Sequence, residues 1–138
     1  MQVTIAKSFF KKIESLGQKV ERAVKDKASE IIDDAVDLSP VDTGAFVESW
    51  QINPRGQTSS RARSSAGRPK LSEGSKQAKR EEEKARLEAR VASFDMDELT
   101  GFTLTNRAPH IKQINANDRL RTGLSPSEIQ AVLRDRHG

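Results

Sequence analysis

The strongest constraint in this chain is a stripe of apolar residues near its start. Phe9, Ile13, Leu16, Val20, Val24, Ile31, Ala35 and Leu38 recur at steps of three and four, with Ala28 bridging the one gap of seven. On a helix this spacing puts all of them on one side, while lysines, glutamates and aspartates fill the other. The pattern predicts an amphipathic helix over residues 5–38, with Thr4 as its cap. At about 1.5 Å per residue it would reach roughly 50 Å, longer than a small domain core is wide. Gly17 is where such a helix would bend or divide, because glycine costs about 1 kcal/mol there relative to alanine. Ser39-Pro40 ends it, since proline lacks the donor and disfavours helical geometry in the residue before it.

Val41-Asp42-Thr43-Gly44 reads as a turn, with Asp42 placed to bond the backbone ahead and Gly44 able to take positive φ. Phe46, Glu48, Trp50 and Ile52 then alternate with Val47, Ser49 and Gln51, which predicts a strand over 46–52 flanked by Pro54. Residues 54–76 are rich in Gly, Ser, Arg, Pro and Lys, with Leu71 the only large apolar side chain. They read as a flexible basic excursion, and such long irregular segments usually serve a function or a partner. A second, charged helix is expected over 77–94. Its Glu81-Glu82-Glu83 run meets Lys84, Arg86 and Arg90 at helical spacing, and Ala85, Ala89 and Ala92 form a thin stripe facing water or another subunit. Phe102, Leu104 and Asn106 alternate with Thr103 and Thr105 as a second strand. Ser125-Pro126-Ser127-Glu128 opens a short C-terminal helix with serine as cap and glutamate at its third position.

These elements fit one domain over residues 1–138. Only 34% of residues are hydrophobic, against 32% charged, and the aromatic set is Trp50 with five phenylalanines. So small a core leaves apolar surface for partners to cover, which points to oligomerisation. There is no cysteine, which removes disulfides and thiolate metal sites. The N-terminus interleaves lysines with its apolar residues, unlike a signal peptide, and no segment nears the roughly 20 apolar residues of a membrane span. A soluble chain without membrane contact is expected. The net charge of +4 is concentrated in residues 54–90, which carry eleven basic and five acidic groups. Arg55, Arg61, Arg63, Arg68 and Lys70 have no acidic residue between them.

Catalytic signatures are missing from the sequence. Its histidines are His110 and His137, the second at an end expected to fray. The glycines form no phosphate-binding pattern, and Glu81-Glu82-Glu83 would point around a helix instead of converging. Ser49 with His110 lacks a third group, and His110 with Asp118 is too sparse a pair for a metal. The expectation is no enzyme activity, no cofactor and no metal.

Two stretches together resemble a known family. Ser39-Pro40-Val41-Asp42-Thr43-Gly44, followed by Ser49-Trp50, and Leu104-Thr105-Asn106-Arg107-Ala108-Pro109-His110 are similar, in order and spacing, to motifs of the neck and tail-completion proteins of tailed bacteriophages, a group with minor tail protein Z-like members. The likeness covers roughly residues 5–120. His110 stands where the family usually has tyrosine, and Ile114-Asn115-Ala116-Asn117 replaces its usual Leu-Glu-x-Gly, which marks a distant subgroup. The resemblance implies an α+β fold, a long N-terminal helix packed on a small antiparallel sheet. It also implies a non-catalytic virion subunit at the head–tail junction, assembled in the host cytoplasm. Such subunits form homo-oligomeric rings between a portal, adaptor or head-closure protein and the tail proteins, around double-stranded DNA.

Several readings stay open at this stage. Pro40, Asp42, Thr43, Gly44, Asn106, Pro109 and His110 make either a structural turn or a subunit contact, and Trp50 is either core or an interface anchor. The segment Arg55–Lys70 is a solvated loop, a phosphate-backbone contact, or an arm that orders against the acidic surface of an adjacent ring. A small basic protein that binds DNA without sequence preference, or a tail terminator, would use the same residues.

Overall fold

The computed structural model describes residues 1–5, 9, 12, 20–57, 60–109 and 124–137. Within them the fold is α+β. Strand β1 (Gln2–Ile5) is followed by helix α1 (Val20–Leu38), a helical turn α2 (Ala45–Glu48), strand β2 (Trp50–Pro54), helix α3 (Glu73–Ala92), strand β3 (Phe102–Asn106) and helix α4 (Pro126–His137). The sheet is antiparallel in the order β1-β3-β2. Val3, Leu104 and Ile52 lie side by side across it, as do Ile5, Phe102 and Pro54. Strand alternation therefore turns Val3, Ile5, Trp50, Ile52, Phe102 and Leu104 towards the helices. There they share one core with Val24, Ile31, Ala35, Leu87, Val91, Ile129 and Leu133. The opposite face carries Gln2, Thr4, Gln51, Asn53, Thr103 and Thr105, with the Thr4 and Thr103 hydroxyls 3.2 Å apart.

Helix α1 buries the expected stripe from Val24 to Ala35, joined by Ile32 and Val36, while Leu38 is only half-buried. Each fully buried branched side chain contributes roughly 1.5–3 kcal/mol, so Val24, Ile31, Ile32 and Val36 make this helix a substantial contributor to the core. The start of the expected helix needs correction. Gln2–Ile5 is a strand, not the first turn, and Thr4 lies within it with its hydroxyl against that of Thr103. Its β-branched residues alternate, and β3 supplies a partner edge on which Val3 and Ile5 are buried. Phe9 and Lys12 are helical. The stripe positions Ile13 and Leu16, and the expected bend at Gly17, lie outside the described residues.

The strand expected over 46–52 also moves. Ala45–Glu48 is helical, closed by the Glu48 N–H to Gly44 O bond of 3.0 Å, and β2 begins at Trp50. Phe46 and Trp50 are four residues apart, a spacing that suits both periods, and their rings meet edge to face with centroids 6.0 Å apart. Pro54 ends β2 at the outer edge of the sheet, where its missing N–H is tolerated. Helix α3 starts four residues earlier than expected. Ser72 caps it by accepting the Ser75 N–H at 3.3 Å. Its buried residues are Glu83, Leu87 and Val91, while Ala85, Ala89 and Ala92 are exposed.

Helix α4 has the expected capping box. Ser125 Oγ accepts the Glu128 N–H at 3.2 Å, and Glu128 Oε1 accepts the Ser125 N–H at 3.1 Å. Its far end is not frayed. The His137 side chain is 6% exposed, with Nε2 2.6 Å from Asp34 and Nδ1 3.1 Å from Lys27 Nζ. An ammonium can only donate, so Nδ1 is the acceptor and the Nε2 proton goes to Asp34. This contact ties α4 to α1. Among the described residues no helix is long and apolar enough to cross a membrane.

Candidate functional site

The two motif stretches meet in one buried node. Asn106 faces Trp50 in register across β3 and β2. The Asn106 amide donates to Phe46 O at 2.9 Å, and its Oδ1 accepts the Ala108 N–H at 3.0 Å. Trp50 is fully buried, and its indole N–H donates to Ser39 Oγ at 2.8 Å. The Ser39 hydroxyl in turn donates to Ala35 O at the end of α1. Trp50 is therefore core and not an exposed anchor. Pro40 is half-buried, and Asp42 and Pro109 are exposed. The Thr43 hydroxyl accepts the Ala45 N–H at 3.3 Å. Gly44 takes φ +90°, and a Cβ there would sit 3.1 Å from Lys79 Cε and 3.2 Å from Glu48 Oε2. The turn thus needs glycine for its backbone, while a Cβ would only crowd the flexible ends of Lys79 and Glu48. His110 and Asp118 lie outside the described residues.

Beside this node the basic segment runs as a strap over α2 and β2. It is irregular but tied down. Gln51 donates to Arg61 O at 2.7 Å, the Arg61 side chain donates to Glu48 O at 2.6 Å, and Ser49 Oγ accepts the Arg63 N–H at 2.9 Å. Arg68 pairs with the Glu48 carboxylate, and the Leu71 N–H donates to Asp42 O at 2.7 Å. From α3, Arg86 donates to Trp50 O at 2.8 Å and pairs with the buried Glu83. Among the described residues the outer edge of β2 is thereby closed with guanidinium groups and not with a fourth strand. The five basic residues singled out from sequence divide. Arg61 and Arg68 are half-buried and hold the strap in place, while Arg55, Arg63 and Lys70 turn their side chains to solvent. Sequence reasoning missed Glu48, Lys79, Glu83 and Arg86 as members of this cluster. The one available signal was Glu48, an acid beside the longest run of bases.

The electrostatics follow from that crowding. Burial, then the charges of Arg86 and Arg63, lower the Arg61 pKa, and Glu83 and Glu48 partly offset them. For Glu48, burial alone would raise the pKa. The Arg68 hydrogen bond and the charges of Lys79, Arg68 and Arg63 outweigh it, and the pKa lies below the ordinary 4.5. A carboxyl depressed in the fold contributes stability above its unfolded pKa and loses it as pH falls through the folded value. Glu48→Gln should therefore cost on the order of 1–2 kcal/mol at neutral pH, the worth of a partly exposed charge-assisted bond. The difference from wild type should close as pH drops below 4.5. Urea titrations across pH 3–7 measure both effects.

Chemically, the site binds its own backbone. The Ser49 hydroxyl donates to Ala45 O at 2.8 Å and accepts the Arg63 N–H, so its bonds are used within the fold. Among the described residues no group of three or more His, Asp or Glu is placed to hold a metal ion. No family model, curated protein or solved structure matches the chain.

Proposed function

We propose that this protein is a non-catalytic structural subunit of a tailed-phage particle, a neck or tail-completion protein that assembles as a homo-oligomeric ring between head and tail. The observation that carries the proposal is the convergence of the two motif stretches. Ser39, Ser49, Trp50 and Asn106 come from opposite halves of the chain and are all buried in one bonded node. Residues that serve to specify a fold are the ones expected to persist as a family motif when surfaces diverge. The α+β architecture, with a long helix packed on a small antiparallel sheet, is the one the resemblance implies. A ring would bury further surface of each copy in closing, head-to-tail contacts. Its partners on the two sides would be a portal, adaptor or head-closure protein and the tail proteins. Mass analysis of purified particles, and electron microscopy of particles made without this protein, test the reading. Unjoined heads and tails are expected. Normal particles that lack the protein would exclude it, and overlong tails would favour a terminator role.

The exposed Arg55, Arg63 and Lys70 support a second reading, sequence-independent DNA binding. The clean test changes these three to alanine, because Arg61 and Arg68 are needed by the strap itself. Salt-sensitive affinity for free duplex that falls with them would favour this reading.

A further inference from the structure

The exposed flanks of α3 carry opposite charge. On one flank Lys79 and Arg86 join Arg61, Arg63 and Arg68 of the strap around Glu48 and Glu83, with Glu82 at 3.6 Å from Lys79 on the rim. Five cations face three carboxylates, a net +2, and exposed Lys70 adds to it along the strap. On the other flank Asp33 and Asp37 of α1 lie with Glu81 and Glu88 of α3 around the single ammonium of Lys84. Four carboxylates face one cation, a net −3. Among the described residues neither set is neutralised. Burial first, then Glu88, Asp37 and Glu81, raise the Asp33 pKa against the pull of Lys84.

The placement of the two patches matters as much as their sign. At about 100° per residue, Lys79 and Arg86 fall on one side of the α3 axis and Glu81 and Glu88 roughly 180° away. Patches of opposite sign on opposite flanks cannot satisfy each other within one copy. A two-fold contact would pair each patch with its opposite only if both lay on one face of the subunit, and these lie on opposite flanks of α3. They fit a head-to-tail contact, in which each copy presents both a donor face and an acceptor face. Repeated, such a contact closes a ring or extends a filament.

We propose that the basic strap of one copy, centred on Arg63 and Lys70, docks on the acidic α1–α3 seam of the next copy, centred on Asp33, Glu81 and Glu88. The partner is a second copy of this chain. The inference deepens the ring reading and rests on it for its setting. It gives the strap's charge to the neighbouring subunit and not to DNA. Electrostatic contacts of this kind set register and partner choice, and they weaken as salt screens them.

The test uses the full chain with surface charges reversed in two forms. One carries Arg63→Glu and Lys70→Glu, the other Glu81→Lys and Glu88→Lys. All four side chains are exposed, and circular dichroism checks that each form folds. Sedimentation velocity is read at low salt and at about 1 M salt, where the Debye length falls to about 3 Å. Wild type should self-associate at low salt and dissociate at high salt. Each reversed form alone should associate about tenfold more weakly or less, and an equimolar mixture should regain association, because each form then meets a complementary face. Folded forms whose mixture stays monomeric would overturn the proposal. Association unchanged by either pair of reversals would also overturn it, while leaving the ring reading intact with another interface. A strap variant that loses only duplex binding would assign the strap to DNA. A wild-type chain that is monomeric at low salt would overturn the inference, and its presence in or absence from particles then decides whether the ring reading falls with it.

Discussion

Trp50→Ala should remove about 3–5 kcal/mol of folding stability, the usual cost of truncating a large buried aromatic side chain. For a chain with so small a core this is a large share of the 5–15 kcal/mol typical of a domain. The expected result is a protein that is mostly unfolded, or aggregated, at 37 °C. Three losses coincide at this position. The indole fills the junction of α1, α2 and β2, where no part of it reaches solvent. Its edge-to-face contact with Phe46 holds the helical turn before β2. Its N–H satisfies Ser39 Oγ, which otherwise sits buried with one bond instead of two. Trp50→Phe keeps most of the volume and loses the donor, so it should cost less, about 1–2 kcal/mol. Chemical denaturation followed by circular dichroism measures both, since Trp50 is the only tryptophan and its fluorescence disappears with it. Near-wild-type stability for Trp50→Ala would mean that the node is not what joins the two motif stretches.

Arg86→Met should cost about 3–5 kcal/mol, because it leaves Glu83 buried without its partner. Glu83 is 3% exposed, and Arg86 is its paired cation on α3. The same guanidinium also satisfies Trp50 O on the open edge of β2. Removing it strands a carboxylate and a carbonyl together. The double change Glu83→Leu with Arg86→Met should recover much of the loss, since the buried carboxylate, left with only the neighbouring charge of Arg61, is gone and an apolar pair takes the space. The carbonyl still lacks a donor, so recovery should fall short of wild type by about 1–3 kcal/mol. A double-mutant cycle by urea denaturation reads the coupling. If the single and double changes cost the same, Glu83 is reached by water and the pair is a surface feature.

The parts of the fold legible in sequence are those set by neighbours along the chain. The α1 stripe from Val24 to Ala35, the alternation in β3, the Ser125 capping box and the positive φ of Gly44 all express local backbone chemistry. Each is encoded by residue types and spacings within a few residues, even where its burial comes from distant partners. Strand β1 was not legible for the opposite reason. Four residues form a strand only when an edge is offered, and its partners, Phe102 to Thr105, lie about a hundred residues away in sequence. The helical turn Ala45–Glu48 was hidden because Phe46 and Trp50 satisfy either period.

The candidate site divides along the same line. That Arg55 to Lys70 is basic and irregular belongs to the sequence. Which of its cations are spent on the fold does not, because Arg61 and Arg68 answer to Glu48, which α2 and α3 place beneath them. The burial of Glu83 and the clamp of His137 on Asp34 belong to the same class. Sequence alone determined the helical stripe, the caps, the turn glycine and the charge of the strap, since each follows from residue type and short spacing. Tertiary structure alone decided which charges are buried, which edge is closed and which flank of α3 carries each sign. Those outcomes depend on desolvation and pairing between segments that only the folded chain brings together.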